Sequence, residues 1–108
     1  LAKWSHGIPQ RAMAFVYLVQ CRDGSLYCGW AVDPVARAVV HNCGKGAAYT
    51  RSRLPVRLVW CEACSDKRAA MRREYAIKRL SRAHKLRLIA LNPTMSPSAP
   101  PAAPAVRA

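Results

Sequence analysis

Tyr17 and Tyr27 stand ten residues apart in two short apolar runs, Phe15-Val16-Tyr17-Leu18-Val19 and Leu26-Tyr27-Cys28-Gly29-Trp30. Arg37 and His41 follow at a spacing of four, and Glu74 lies further along. Phenols, a guanidinium, an imidazole and a carboxylate form the set that metal-assisted phosphodiester cleavage requires. The carboxylate holds a cation, the guanidinium meets phosphate charge, and the phenols and imidazole handle a water and its proton.

Each group also has a plainer use. Strand tyrosines usually pack, although a buried phenol still needs a partner for its hydroxyl. Arg37 and His41, on one face of a helix, could be a surface base and a helix-end imidazole. Glu74 could simply pair with Lys78 one turn later. Against that, Ala70, Glu74 and Ile77 share a stripe, so the carboxylate faces partly inward, where it needs a cation.

The elements that must position these groups are legible from pattern. Ala14–Gln20 and Leu26–Ala31 read as strands, and Asp23-Gly24 between them is a hairpin turn signal. Asp33-Pro34 opens a helix that Asn42 and Gly44 close. The segment 43–53 reads as a flexible, basic loop with one aromatic, Tyr49. A third strand is expected over Val56–Glu62, a second helix from Ser65-Asp66 over Lys67–Leu80, and a third from Ser81 over Arg82–Leu91. The order is β-β-α-β-α-α.

The chain has 108 residues, enough for one small domain. Residues 1–12 lack a pattern and read as a disordered extension, with Met13 a candidate true start. Residues 92–108 are rich in Pro and Ala and read as a disordered tail. Residues 13–91 form the expected domain. Eighteen Lys and Arg oppose five acids, a formal charge of +13, and nine bases against two acids fall between Asp66 and Leu88. Such a field attracts polyphosphate, and the basic stretch lacks the apolar face of a membrane-surface helix. Nucleic acid, DNA before RNA, is the expected partner, and a membrane is not. No signal peptide and no bilayer-spanning run is evident, and five cysteines suit a reducing, cytoplasmic setting.

Val16-Tyr17-Leu18 and Tyr27-Cys28-Gly29 resemble the two half-motifs of the GIY-YIG nuclease superfamily. Asp33, Arg37, His41 and Asn42 resemble its first helix. The stretches Gly44–Val59 and Arg72–Arg82 are similar to its small stand-alone bacterial branch. The resemblance covers Phe15 to Leu91. It implies an α+β fold, a small three-stranded antiparallel sheet flanked by helices. It implies one divalent ion, Mg²⁺ or Mn²⁺, on Glu74, and Arg37 clamping the scissile phosphate. Tyr17 and Tyr27 would orient the attacking water, with His41 supporting a tyrosine. A phenol is a poor base unless its surroundings depress its pKa, and here they are expected to do so. Phe15 and Cys28 depart from the half-motifs, and Leu86 stands near the place of an Asn found in larger members.

The implied activity is a metal-dependent DNA endonuclease, selective for structure over sequence, in repair or recombination, with a protein partner as one source of targeting. Phosphate contacts are expected from Lys45, Arg51, Arg53, Arg72, Lys78, Arg79 and Arg82, with Tyr49 stacking on an unpaired base. Two rivals stand beside this. One is a non-catalytic nucleic-acid-binding module of the same fold. The other is a zinc site built on Cys61-x-x-Cys64 with Cys43 and His41.

Overall fold

The computed structural model describes residues 14–91. The expected N-terminal extension, the start at Met13 and the C-terminal tail lie outside the described residues. The elements are β1 (Ala14–Gln20), β2 (Leu26–Ala31), α1 (Pro34–Asn42), α2 (Ala48–Arg51), β3 (Arg57–Cys64), α3 (Lys67–Lys78) and α4 (Arg82–Leu91).

β1 has an unbroken apolar run, and its first six residues are buried, as befits a strand covered on both faces. It is the centre of a three-stranded antiparallel sheet of order β2-β1-β3. Side chains alternate between faces. Tyr17 and Val19 join Ala38, Val56 and Leu58 in one core cluster, against which Val35 packs, so α1 covers that face. Val16 and Leu18 join Cys28, Trp60 and Ile77 in the other, with Leu80, Leu88 and Ile89 packed against it. That second face is covered by α3 and α4. The fold is α+β, in the expected order.

Local chemistry sets the junctions. Gly24 takes φ +87°, and its N–H donates to the Cys21 carbonyl at 2.9 Å, closing the hairpin turn. Asp33 accepts from the Ala36 N–H at 3.1 Å and Asp66 from the Ala69 N–H at 2.7 Å, capping α1 and α3. Ser81 Oγ accepts from the His84 N–H at 3.2 Å and starts α4.

Two ends and one added element differ from the sequence reading. α3 stops at Lys78, two residues early, and β3 runs to Cys64, so Cys64 is in the strand and not in the following turn. The expected flexible loop contains α2. Its single turn forms because the Thr50 and Arg51 N–H groups donate to Ala47 O at 3.1 and 3.2 Å while Thr50 is fully buried.

Candidate active site

The hairpin register places both tyrosines on one face. Tyr17 pairs with Gly29, and Tyr27 pairs with Val19, so the phenols are diagonal neighbours. Gly29 makes room for Tyr17: a Cβ there would lie 2.6 Å from the phenol oxygen. No other residue leaves that space.

α1 delivers Arg37 and His41 onto the same face. His41 is fully buried, and its ring meets both phenols edge-on, with centroids 6.1 Å from Tyr17 and 5.5 Å from Tyr27. Its Nε2 is 2.9 Å from the Tyr17 hydroxyl, and its Nδ1 is 2.9 Å from Thr50 Oγ1. Thr50 spends its one proton on the Ala47 carbonyl, 2.9 Å away. It must therefore accept from His41, which puts the ring proton on Nδ1. Nε2 is left bare and accepts from Tyr17. Gly46 is part of this seat, because a Cβ there would overlap the imidazole.

Burial, reinforced by the nearby Arg37 guanidinium, holds the His41 pKa below its ordinary 6.5, so the ring is neutral. Burial also dominates at Tyr17. It pushes the phenol up to about 12, although a hydrogen bond from Arg37 pulls the other way. The expectation of a depressed phenol is thus corrected for Tyr17. The low-dielectric core penalises the phenolate more than one guanidinium favours it.

Glu74 arrives from the opposite side of the sheet, on α3. The Cys28 thiol on the edge strand β2 faces its backbone carbonyl, with Sγ 3.9 Å from the oxygen. Burial, together with the Glu74 charge, pushes that thiol up to about 12. The Glu74 side chain is 19% exposed, and its Oε2 lies 3.2 Å from Lys78 Nζ. Lys78 in turn sits over the Tyr27 ring, 5.7 Å from the centroid. Lys78 therefore stands between the Glu74 carboxylate and the Tyr27 ring. The ammonium pKa is raised: burial would lower it, but the Glu74 carboxylate outweighs burial.

The surrounding bases divide into two groups. Lys45, Arg51, Arg72 and Arg79 are exposed, and Arg79 covers the exposed Tyr75 ring at 5.3 Å. Arg53 and Arg82 grip the hairpin turn. Arg53 Nε is 3.2 Å from Asp23 Oδ2, and Arg82 donates to Gly24 O at 2.9 Å. Tyr49, the expected stacking residue, is 40% exposed; Tyr27 stacks against it at 5.9 Å and 22°, and the Arg53 guanidinium lies 3.8 Å from its centroid.

The zinc arrangement does not form. Cys61 packs on the Tyr17 face of the sheet and Cys64 on the Trp60 face, as residues three apart in a strand must. Both His41 nitrogens are engaged, all five cysteines are free thiols, and no cluster of three or more His, Cys, Asp or Glu able to hold a metal occurs among the described residues. A single carboxylate does suit Mg²⁺, which retains several waters and takes its other ligands from substrate phosphates. Glu74 fits that demand.

Thr50, Gly46 and the architectural use of Arg53 escape the sequence reading. They act through tertiary contacts that no residue spacing marks.

Comparison with known proteins gives concordant results. The GIY-YIG catalytic domain model matches residues 13–87. A UPF0213 protein of Staphylococcus haemolyticus is 53% identical over 78 residues, 72% of this chain and 95% of that protein. One from Staphylococcus aureus is 55% identical over 75 residues, 69% and 92% of the two chains. The solution structure of UPF0213 protein BH0048 from Bacillus halodurans is 47% identical, covering 72% of this chain and 83% of that one, with a TM-score of 0.47.

Proposed function

The chain belongs to the GIY-YIG catalytic-domain family, a family of nucleases, and from that premise we propose that it hydrolyses phosphodiester bonds in DNA with the help of one divalent ion. The observation that carries the reading is the buried chain of hydrogen bonds from Tyr17 through His41 to Thr50, with Arg37 within reach of the same phenol.

Arg37 shields the Tyr17 oxygen in the free protein and turns to the scissile phosphate when substrate arrives. That move vacates a lone pair of the phenol for the attacking water. Tyr17 takes a proton from the water as it gives its own to Nε2 of His41, so no free phenolate forms. A group with a pKa near 12 can therefore serve as a relay where it could not serve as a stored base. His41 becomes an imidazolium whose Nδ1–H stays bonded to Thr50. Arg37 offsets the charge that grows on the phosphate oxygens, and Tyr27 orients the water from the other side. Glu74 would hold the divalent ion, Mg²⁺ or Mn²⁺, which when bound would supply Lewis-acid charge.

Recognition rests on the exposed bases, whose phosphate contacts carry no sequence information, so branched or flapped DNA is the expected substrate over any base sequence. A role in repair or recombination inside the cytoplasm, with a targeting partner, accords with that preference. No helix among the described residues is long and apolar enough to cross a membrane.

The test is cleavage of supercoiled, branched and single-stranded DNA, with RNA as a parallel arm, in Mg²⁺. Tyr17→Phe, Arg37→Ala and Glu74→Ala should each lose about 100-fold or more in rate. Activity should fall as pH drops through the lowered His41 pKa, below the usual histidine range, because the ring must be neutral to accept the proton. Tight binding with no nicking at any metal concentration would establish the rival reading, a binding module.

A further inference from the structure

The described residues contain three ion pairs, and they differ in kind. Asp23–Arg53 and Glu62–Arg73 pair through guanidinium Nε atoms, at 3.2 and 2.9 Å. Glu74 alone is paired with a lysine. Arginine offers a rigid, permanently charged fork suited to lasting structure. Lysine offers a compact point charge on a flexible stem. The Lys78 side chain is 48% exposed, against 19% for Glu74, so the ammonium can leave while the carboxylate stays. It also stands at the place the site reserves for a cation, 3.2 Å from the carboxylate and 5.7 Å from the centre of the Tyr27 ring.

We propose that the Lys78 ammonium is a resident counter-ion of Glu74 that a divalent ion must displace, so that metal is held weakly until the lysine is drawn off to a phosphate of the substrate. The inference rests on Glu74 being the metal carboxylate. Two cations side by side on one carboxylate repel, and in a partly buried setting that repulsion is several times its value in water. The lysine therefore competes with the ion while the site is empty of substrate. Once phosphate is present, the released ammonium has an anion to meet. Metal and nucleic acid then favour each other's binding, and by linkage the coupling is reciprocal.

The experiment is a Mn²⁺ titration of the full chain without nucleic acid, with free ion read by electron paramagnetic resonance. Wild type is compared with Lys78→Met, Lys78→Gln, Lys78→Arg, Glu74→Gln and the double variant Glu74→Gln/Lys78→Met. Circular dichroism verifies the fold, and Lys78→Gln stands in should Lys78→Met fail to fold. Lys78→Met or Lys78→Gln is expected to tighten Mn²⁺ binding about tenfold, Lys78→Arg to leave it as weak as wild type or weaker, and the double variant to abolish the gain. Binding by both neutral variants equal to or weaker than wild type, with Glu74→Gln still lowering wild-type affinity, overturns the competition and leaves the metal carboxylate standing. A gain that survives in the double variant also overturns it, since the lysine would then act elsewhere. Mn²⁺ binding indifferent to Glu74→Gln in both backgrounds removes the metal reading itself, and this inference with it.

Discussion

A carbon built on Gly29 would stand 2.6 Å from the Tyr17 hydroxyl oxygen and 2.8 Å from Cζ, and the Tyr17 ring, 1% exposed, has no free volume to retreat into. Gly29→Ala should therefore tilt the phenol off His41 without removing any polar group of the site. The expected cost is about 1–3 kcal/mol of stability by overpacking, seen as a lower melting temperature, together with cleavage reduced toward the level of Tyr17→Phe. A variant that cleaves like wild type would show that the Tyr17–His41 bond is not needed. At this scale the sequence is informative where chemistry follows from residue type and short spacing. Strand and helix periods paired Tyr17 with Tyr27 and Arg37 with His41, and the family resemblance implied that the two pairs share one site. Thr50 could not be placed there, because its importance lies in a hydrogen bond to a residue nine positions away across a loop with no pattern. The neighbours of Tyr49 were hidden for a similar reason: Tyr27 and Arg53 come from β2 and from the segment after α2.

α3 bears Glu74, so whatever starts that helix also sets where the proposed metal carboxylate stands. Its first turn has Lys67 and Arg68 and no acid, an unfavourable arrangement beside the positive end of the helix dipole. Asp66 is what compensates, through its 2.7 Å bond from the Ala69 N–H. Asp66→Ala should cost about 1 kcal/mol, or roughly 4–8 °C in melting temperature for a domain of this size, measured by thermal unfolding. Restoring a cap with Asp66→Ser should recover most of it. Caps and alternation made the strands and long helices legible, with ends off by one or two residues where fraying decides. α2 was not legible, because four residues make a helical turn only when tertiary contacts hold them. α4 has no buried residue, and the Ser81 cap was its clearest sequence signal.

The whole molecule carries 18 bases and five acids, and the structure separates bases that build from bases that remain exposed. Lys45→Ala and Arg72→Ala should each lower the slope of log binding constant against log salt by about one, equally on all DNA sequences, with no change in melting temperature. Arg53→Ala and Arg82→Ala should lower the melting temperature as well, since both hold the hairpin turn. Binding isotherms at several salt concentrations, beside melts, check both halves. Charge alone could announce the polyanionic partner but not this division, which depends on how the hairpin meets α2 and α4. The acids show the complement. Asp33 and Asp66 begin helices, Asp23 and Glu62 pair with arginines, and Glu74 pairs with Lys78. None is spare. Removing any one of them raises the net charge above +13 and gives up a cap or an ion pair in the same step.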